Sequence, residues 1–352
     1  MFTPKYIITP RILANIKQIA TLTVELNHRP PLPVVFAEME KRAVTLSAHT
    51  STRIEGNPLP LTEVKRLLRT RPDNLRDSER EVINYNQALE HLNQRVSDGL
   101  GGLELQEILQ IHRTVTQGLL ESYYCGRLRE EPVVVNNPRT GETVYHPPDH
   151  TDVKSMIEEL TNFIENSRNK MDPLILAGLF HKQFVIIHPF TDGNGRTARL
   201  GTKMLLAAIG VDTFPLFSFE NYYNRNVSKY FNHVGVVGNY YDIRDKIDFT
   251  PWLEYFTDGI IDELLRVSEE FITLAASPEN TLQPHHNIIL EIIRQHGYVT
   301  DRLYAARSTR AKSTRALDFN KLTMWGLIKR CGGGRNTHYK LQWKDKLRPT
   351  ES

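Results

Sequence analysis

The sequence has little cysteine, no long hydrophobic run and no sign of a cleavable leader. Its two cysteines, Cys125 and Cys331, lie far apart in the chain, which excludes a disulfide scaffold or a zinc site made of cysteines. No stretch approaches the ~18 continuous apolar residues of a membrane span. The first twenty residues also lack the apolar core and the small-residue cleavage site of a secretory signal. We therefore expect a reduced, soluble, cytoplasmic protein without a membrane partner.

The charge is low overall but unevenly divided along the chain. The 352 residues carry a net charge of +3, and 40% of them are hydrophobic, a globular composition large enough for two or three domains. Residues 283–352 contain 14 Lys and Arg against 5 Asp and Glu, whereas the rest of the chain contains 30 against 36. A basic C-terminal part on a mildly acidic body predicts that the two parts meet different partners.

Most of the chain has apolar residues at three- and four-residue spacing, which is typical of amphipathic helices. Such segments are Arg11–Leu26, Val34–Ile54, Ser78–Arg95, Leu105–Leu119, Val153–Glu165 and Pro173–Ile187. The stretch from Pro132 to Pro148 differs, because two β-prone runs, Val133–Val135 and Thr143–Tyr145, flank an Asn/Pro/Gly-rich turn. An isolated hairpin is only marginally stable, so we predict a flap that covers another part of the molecule.

A further boundary is predicted where residues 274–286 become polar and contain proline. Three helical segments follow, Asn287–Gln295, Thr300–Arg307 and about Lys312–Trp325, and then two short strands around a Gly-rich turn. This order of elements, with a basic third helix, predicts a winged helix-turn-helix domain.

One twelve-residue run, HPFTDGNGRTAR from His188 to Arg199, combines a base, a carboxylate, glycines and cations. A predicted helix ends just before the run, and a second one, Arg196 to about Ile209, begins within it. The loop therefore presents Gly193 and Gly195 at a helix N-terminus, where free N–H groups and the helix dipole favour an anion. Gly-Asn-Gly alone is usually a turn, and it is the combination of residues that indicates an anion site.

The charged residues of the same run suit a polyphosphate with its metal. Arg196 and Arg199 lie in the first turn of the predicted helix, where cations oppose the dipole, so helix stability does not account for them. Asp192 offers a hard oxygen ligand to a phosphate-bound Mg²⁺. His188 is a candidate general base at neutral pH.

This run resembles the signature of the Fic family, HxFx(D/E)GNGRxxR, at every position. The resemblance extends from about Leu105 to Phe256 and includes the residues Gly126–Arg129 before the predicted flap. It implies a mainly α fold, a Fic-type helical bundle with a β-hairpin flap, followed by the small winged helix-turn-helix domain. The implied domains are an N-terminal helical region at 1–103 with an inhibitory helix at about 34–56, a catalytic core at 104–272, a linker at 273–286 and the winged helix at 287–345.

The resemblance implies a protein adenylyltransferase. Such an enzyme uses ATP and Mg²⁺ to transfer AMP to a Ser, Thr or Tyr hydroxyl of another protein or of itself, and it releases pyrophosphate. In that reaction His188 would deprotonate the target hydroxyl, and Asp192 would hold Mg²⁺ against the α- and β-phosphates. The predicted flap would align the target segment by strand addition. The target protein is not identified by the sequence, and a homodimer is left open.

The resemblance also implies a set of nucleotide contacts. The loop would bind the α- and β-phosphates, and Arg199 would bind the γ-phosphate. The tyrosine pair that usually lines the adenine pocket appears here as Tyr230 followed by Phe231. The implied nucleotide-binding residues are Gly193, Asn194, Gly195, Arg196, Arg199, Val135, Tyr230, Phe231, Asn239 and Glu55.

Upstream, the run from Ser51 to Gly56 resembles the Fic inhibitory motif (S/T)xxxE(G/N), with Glu55 at the fifth position. Gly56 suits a helix end, so Glu55 lies in the last turn, where a carboxylate is unfavourable against the helix dipole. The resemblance implies that Ser51 and Glu55 form the inhibitory contact, and that Glu55 pairs with Arg199 in competition with the γ-phosphate. The enzyme would then be autoinhibited by an N-terminal helix.

Two other functions are left open by the sequence. Some Fic proteins use the inhibitory glutamate to activate water and remove AMP from a target, and the same residues would serve here. Alternatively, the C-terminal domain would make the protein a DNA-binding regulator. The cations that would contact phosphates are Lys312, Arg315 and Lys321 on the third helix and Lys329, Arg330 and Arg335 in the wing.

Overall fold

A computed structural model of the chain describes residues 2–28, 33–99, 102–137, 140–211, 214–275 and 282–341. The chain divides into two compact units. The first consists of Met1–Arg29 and Lys41–Val267, and the second consists of Pro30–Glu40 and Ser268–Ser352. The boundary that the sequence places between residues 103 and 104 falls inside the first unit.

Helices dominate the structure, which confirms the mainly α fold predicted from the sequence. In the described residues the helices are α1 Pro10–Asn27, α2 Pro33–Ile54, α3 Leu61–Thr70, α4 Asp77–Ser97, α5 Leu105–Thr116, α6 His150–Ser167, α7 Pro173–Ile187, α8 Asn194–Leu206, α9 Glu220–Arg225, α10 Val227–Val234, α11 Tyr240–Ile243, α12 Thr250–Ala275, α13 Pro284–His296, α14 Asp301–Ala305 and α15 Lys312–Met324. The strands are β1 Val135–Asn136, β2 Thr143–His146, β3 Gly238–Asn239, β4 Ile328–Cys331 and β5 His338–Leu341. Within these ranges, no helix combines the length and the apolar character that crossing a membrane requires.

Helix α7 lies at the centre of the first unit because it is apolar on all sides. Asp172 caps its first turn by accepting the Leu174 N–H at 2.8 Å, and Pro173 occupies the first helical position. Thirteen of its fifteen residues are buried, as expected for a helix without a polar face. Helix α8 packs against α7, so the short loop between them is fixed at both ends by the core.

A buried aromatic cluster surrounds His181 of α7. The rings of Trp252 and Tyr230 have centroids 5.0 Å and 6.0 Å from the imidazole. The Thr202 hydroxyl donates to Ala198 O at 2.7 Å, so its oxygen is left as an acceptor. His181 Nδ1 therefore donates to Thr202, and Nε2 accepts from the Tyr230 hydroxyl, each at 2.9 Å. Burial lowers the pKa of His181 to about 3, so the imidazole is neutral.

The predicted hairpin is present, but its first strand is shifted. β1 pairs antiparallel with β2, with Val135 opposite Tyr145. An irregularity after this pair moves the strand to Val135–Asn136, so the predicted run Val133–Val135 contributes only its last residue. β2 also pairs in parallel with β3, a third strand that the sequence pattern did not indicate. The buried Tyr145 hydroxyl donates to Ile186 O at 3.0 Å, which anchors the flap to the end of α7.

In the second unit, the described residues 282–341 form helices α13 to α15 and then the antiparallel hairpin of β4 and β5. Its core includes Ile289, Ile293, Phe319, Leu322 and Trp325. Val299 pairs with Tyr339, which joins the segment between α13 and α14 to the hairpin. Buried Asp318 accepts the Tyr304 hydroxyl at 2.8 Å and lies 2.7 Å from Arg310 Nε. These bonds hold α14 against α15.

Gly178 lies where α7 and α12 approach each other closely. A Cβ at this position would lie 2.6 Å from Leu253 Cδ2 and 3.1 Å from Phe256 Cδ1. Gly178→Ala should therefore lower the free energy of unfolding by about 1–3 kcal/mol, because overpacking outweighs the better helix propensity of alanine. Urea unfolding measures this, and Gly102→Ala is the control, since its Cβ would meet only Arg168 Nη2 at 4.0 Å. Equal stability of Gly178→Ala and wild type would contradict the packing described.

Burial of neutral His181 should make the protein less stable as the pH falls. The folded pKa is about 3 against an ordinary value of 6.5, so the unfolded state binds more protons between these values. The free energy of unfolding should fall by up to about 1.4 kcal/mol per pH unit from this group as the pH drops below 6.5. Urea unfolding at about pH 7 and about pH 5 should show a weaker pH dependence in His181→Gln than in wild type or in the exposed control His28→Gln. The same pH dependence in all three would show that His181 titrates normally.

Candidate active site

Residues 188–193 form the loop between α7 and α8. Residues outside this loop fix it by hydrogen bonds to its backbone. His188 ends α7 in the left-handed conformation, with φ of 51°, which costs about 1 kcal/mol for a residue other than glycine. Buried Arg129 stabilises this conformation, because its Nε donates to His188 O at 2.8 Å and its N–H donates to Pro189 O at 2.9 Å. Arg129 thus holds the backbone that carries the candidate base, a role that the sequence did not assign to it.

The side chain of His188 is neutral and has one free nitrogen. Its Nδ1 lies 3.3 Å from Val185 O, so the hydrogen is on Nδ1 and Nε2 keeps its lone pair. Burial lowers the pKa of His188 to about 4, although the hydrogen bond to the carbonyl opposes this shift. A neutral imidazole at pH 7 with a free Nε2 is the form that a general base requires.

His112 on α5 holds the loop from one side, and the sequence reasoning missed it. Its ring stacks on Phe190 with centroids 3.6 Å apart and planes 5° apart. Nδ1 accepts the Gly126 N–H at 2.9 Å, so Nε2 carries the hydrogen and donates to Asp192 O, also at 2.9 Å. Burial lowers the pKa of His112 to about 4, which keeps this neutral tautomer. The one available sequence signal was a histidine on the apolar face of the predicted helix.

Asn194 and Gly193 turn the loop into α8. The Phe190 N–H donates to Asn194 Oδ1 at 2.9 Å, and Asn194 Nδ2 donates to Phe190 O at 2.8 Å. Because the side chain of Asn194 closes the loop, only its backbone is left to make the expected phosphate contact. Gly193 has φ of 77°, and a Cβ there would lie 2.8 Å from Thr116 Cγ2, so this turn requires glycine.

Asp192 is exposed on the loop, whereas Arg196 beside it is buried. Asp192 Oδ1 accepts the Gly193 N–H at 2.6 Å, and its Oδ2 lies 3.2 Å from Arg196 Nη2. Arg196 Nη1 lies 2.8 Å from Glu81 Oε1 on α4. Burial raises the pKa of Glu81 despite the opposing charge of Arg196. Glu81 is a second residue that the sequence reasoning missed, since it lies far upstream of the motif.

Arg199 is buried in α8, and its partners are Ser51 of α2 and Glu55, which directly follows α2. Its Nε donates to Ser51 Oγ at 2.7 Å, and its Nη2 donates to Ser51 O at 2.9 Å and to Glu55 Oε1 at 2.6 Å. Burial disfavours the charged guanidinium, but Glu55, Tyr230 and Tyr85 outweigh it, so the pKa of Arg199 is raised. Among the described residues, Arg199 Nη1 has no hydrogen-bond partner, so part of the guanidinium is unsatisfied.

Glu55 reaches the glycine in the first turn of α8. A Cβ at Gly195 would lie 2.1 Å from Glu55 Oε1 and 3.0 Å from Arg199 Nη1. The close approach of the carboxylate therefore requires glycine, and Glu55 lies where a helix N-terminus takes an anion. The Glu55 side chain is 28% exposed, whereas that of Arg199 is 1% exposed. Glu55 can thus move into water, and Arg199 cannot.

The expected adenine contact of Tyr230 needs a correction. Its side chain is 1% exposed, and its ring stacks on Tyr223 with centroids 4.7 Å apart. Its hydroxyl is bonded to His181. The aromatic cluster beside α7 covers the ring of Tyr230, so it presents no face to a ligand in this structure.

Three other residues expected to bind the nucleotide, Phe231, Asn239 and Val135, lie closer to the surface. Phe231 is half-buried, and Asn239 is exposed. Asn239 Oδ1 accepts the Tyr241 N–H at 3.0 Å and so caps α11. Val135 is half-buried on β1. Asn239 and Val135 belong to the same three-stranded sheet, so the fold brings them together although they are distant in sequence.

Known proteins resemble this chain in sequence. Residues 102–206 match the model of the Fic/DOC family. The chain is 28% identical over 213 residues to Protein adenylyltransferase Fic of Nematostella vectensis, which covers 59% of this chain and 46% of that protein. It is also 28% identical over 214 residues to Protein adenylyltransferase Fic of Aedes aegypti, which covers 60% and 40%. The chain therefore spans less than half the length of these curated relatives.

Solved structures share the fold. A Fic family protein from Desulfovibrio desulfuricans superposes with a TM-score of 0.64 at 21% identity, over 98% of this chain and 100% of that one. A fragment of Fic-1 from C. elegans superposes with a TM-score of 0.59 at 22% identity, over 74% and 73%. The motif loop lies within the segment that matches the family model. Residues 102–206 of this chain are therefore a domain of the Fic/DOC family.

Proposed function

We propose that the chain transfers AMP from ATP to a hydroxyl group of a protein, with pyrophosphate as the second product. The observation that carries the proposal is the loop of residues 188–193, which sets neutral His188 near the N-terminus of α8 with its arginines, Arg196 and Arg199. Curated relatives that match the chain are named protein adenylyltransferases, which supports the same reaction.

His188 is the general base of the proposed reaction. Its Nε2 takes the proton of the target hydroxyl while the hydroxyl oxygen attacks the α-phosphorus of ATP. The bond from the α-phosphorus to the bridging oxygen breaks, and its electron pair leaves on pyrophosphate. His188 then gives the proton to solvent. The Gly195 N–H and the Arg196 guanidinium stabilise the negative charge on the phosphate oxygens.

Asp192 has the features of a magnesium ligand. Its side chain is 59% exposed, and it precedes the helix N-terminus that would hold the phosphates. A single carboxylate suits Mg²⁺, which keeps water and phosphate oxygens as most of its ligands. When bound, the ion would neutralise phosphate charge.

The ion pair of Glu55 and Arg199 is inhibitory in this proposal. Glu55 lies against Gly195 and occupies the Arg199 donors that the γ-phosphate would need. A phosphate must therefore displace a carboxylate that is 2.6 Å from the guanidinium. Because Glu55 is partly exposed, its displacement leaves no buried charge without a partner.

The flap is the proposed docking edge for the target segment. Among the described residues the sheet has the order β1-β2-β3, so β1 lies at one edge. Val134, next to that strand, is 47% exposed. An extended segment can add to an edge strand through backbone hydrogen bonds, which would align its hydroxyl with the site.

Removal of AMP from a target is the second candidate reaction. The observation that favours it is the position of Glu55 against Gly195, where the carboxylate could take a proton from a water that attacks the same phosphorus. Release of AMP from a modified target should then be lost in Glu55→Gly. Release that persists in this variant would exclude Glu55 as the base for water.

We propose a protein partner, and not DNA, for the exposed face of α15. Two of the cations expected to contact DNA have partners within the protein. Arg315 Nε lies 2.8 Å from Asp301 Oδ1, and Lys321 Nζ lies 4.7 Å above a tryptophan ring. The same helix exposes Leu317 and Met324, whose exposed fractions are 65% and 72%. Exposed apolar side chains suit a protein contact better than a phosphate contact.

The remaining cations of this unit leave DNA binding as an alternative. Lys312, Lys329 and Arg330 are exposed, and the side chain of Arg335 lies outside the described part of the structure. An affinity for duplex DNA that falls steeply with salt would support this alternative. A homodimer and a cytoplasmic location stay predictions.

His188→Ala should abolish AMP transfer, because it removes the base that acts on the target hydroxyl. In a Glu55→Gly background, we expect a loss of at least about 100-fold in kcat with the affinity for ATP nearly unchanged. Incorporation of label from α-labelled ATP measures transfer, with His28→Ala as the control. Transfer at the rate of the control would remove His188 from the mechanism.

Asp192→Ala should raise the Mg²⁺ concentration required for half-maximal transfer by about tenfold, because one fixed oxygen ligand is lost. The measurement is a Mg²⁺ titration of labelling in the Glu55→Gly background. Asp73→Ala, which removes an exposed carboxylate elsewhere, is the control. If Asp192→Ala transfers AMP normally at limiting Mg²⁺, Asp192 has another role.

Glu55→Gly should raise auto-modification by at least about tenfold, because it frees Arg199 for the γ-phosphate. The cost to helix stability should be at most ~1 kcal/mol, and Arg199→Ala in the same background should undo the gain. Labelling of purified protein with α-labelled ATP measures this. The control is Arg53→Gly, which removes an exposed side chain from the same turn. Equal labelling of Glu55→Gly, Arg53→Gly and wild type would remove inhibition by α2 from the account.

A further inference from the structure

A second ion pair of a motif arginine lies in the first unit, apart from that of Glu55 and Arg199. Arg196 Nη1 lies 2.8 Å from Glu81 Oε1, and Asn57 Nδ2 donates to Glu81 Oε2 at 2.6 Å. Both carboxylate oxygens of Glu81 are therefore engaged. One is bound by the motif arginine and the other by the segment that follows α2.

Asn57 is itself fixed by hydrogen bonds. Its Nδ2 also donates to Ser78 O at 2.8 Å, and its Oδ1 accepts the Leu59 N–H at 3.1 Å. It lies two residues after Glu55 in the chain. The segment Glu55–Asn57 thus contacts both motif arginines. Glu55 contacts Arg199 directly, and Asn57 contacts Arg196 indirectly, through Glu81.

The carboxylates of Glu81 and Glu55 differ in burial, and this difference determines which of them can leave its arginine. The Arg196 and Glu81 side chains are 5% and 15% exposed, whereas Glu55 is 28% exposed. Separation of a buried pair leaves an uncompensated charge, so Glu81 stays with Arg196 when a ligand binds. The contact of Arg196 with Asp192 is longer, at 3.2 Å, and Asp192 is 59% exposed, so water screens it.

We propose that Glu81 is a positioning residue that orients Arg196 for phosphate transfer, with Asn57 holding Glu81 in place. This rests on the proposed function, because it assigns Arg196 to the phosphates of ATP. A guanidinium is planar, so an ion-pair contact that holds Nη1 also limits the directions of its other N–H groups. In the described residues the buried Arg196 Nε has no hydrogen-bond partner, so the guanidinium keeps one unused donor.

Glu81 has two opposing effects on a bound phosphate. Its negative charge weakens the attraction between Arg196 and the anion, while its ion-pair contact, 2.8 Å from Arg196 Nη1, holds the guanidinium in place. Glu81→Gln removes the charge, and its amide cannot accept from both Arg196 and Asn57, because one end is a donor. We therefore expect tighter anion binding together with slower transfer.

Tighter anion binding together with slower transfer distinguishes a positioning role from a purely structural role and from a second inhibitory role. A residue that only stabilises the fold would lower affinity and rate together when replaced. A second inhibitory carboxylate would raise both when replaced. A residue that orients Arg196 should shift them in opposite directions.

The experiment compares Glu55→Gly with the double variant that also carries Glu81→Gln. The matched control carries Glu90→Gln, which lies on the same helix as Glu81 and breaks an exposed pair with Arg71. We expect kcat for AMP transfer to fall at least about tenfold with no rise in KM for ATP. Inorganic pyrophosphate, measured by calorimetry, should bind about threefold tighter or more. The Glu90→Gln control should change neither quantity, and thermal melting checks that each variant is folded.

Glu81→Asp is a milder second variant, because it keeps the charge and shortens the side chain. It should recover part of kcat without the gain in pyrophosphate affinity. An unchanged kcat, a raised kcat, or a pyrophosphate affinity that is unchanged or weaker in Glu81→Gln would overturn the inference. Failure of the proposed function looks different, since Glu55→Gly itself would then transfer no AMP.

Discussion

The requirement of buried Arg199 for an anion is the constraint on which the rest of the site depends. The guanidinium is 1% exposed, and a buried cation without a partner is strongly unfavourable. In this structure Ser51 and Glu55 satisfy it, and Glu55 also fills the space beside Gly195. In the proposed reaction the γ-phosphate takes the same donors. Because both anions need the same position, the inhibited and the productive state exclude each other.

The loop that carries the base is fixed independently of that choice. Arg129 holds the backbone at His188, His112 holds Asp192 O, and Asn194 closes the turn with its side chain. These three side chains are buried and bonded to backbone groups, so a ligand need not reorganise them, which is the condition for electrostatic preorganisation. The group that would have to move in the reaction, the Glu55 carboxylate, is in contrast partly exposed.

The sequence predicts this molecule well where the determining residues are adjacent in the chain. Periodicity places α7 at its observed bounds, Pro173–Ile187, and the motif run identifies the loop because its residues are contiguous. His112 and Glu81 are missed, since they contact the motif across long sequence separations, and a histidine on an apolar helix face does not by itself indicate such a contact. The resemblance assigns Tyr230 to the adenine pocket, but it carries no information on which neighbours cover the ring. The sequence suggests that Arg315 is available to contact phosphate, but in the structure it forms an ion pair with Asp301.

The central claim is that Glu55 occupies the anion position of Arg199, and nucleotide discrimination tests it most directly. Calorimetry would compare the affinities for ATP and ADP, which differ by the γ-phosphate alone. Wild type should bind the two equally, Glu55→Gly should prefer ATP by about tenfold, and Arg199→Ala in that background should remove the preference. A wild-type protein that already prefers ATP, or a Glu55→Gly variant without any preference, would contradict the claim.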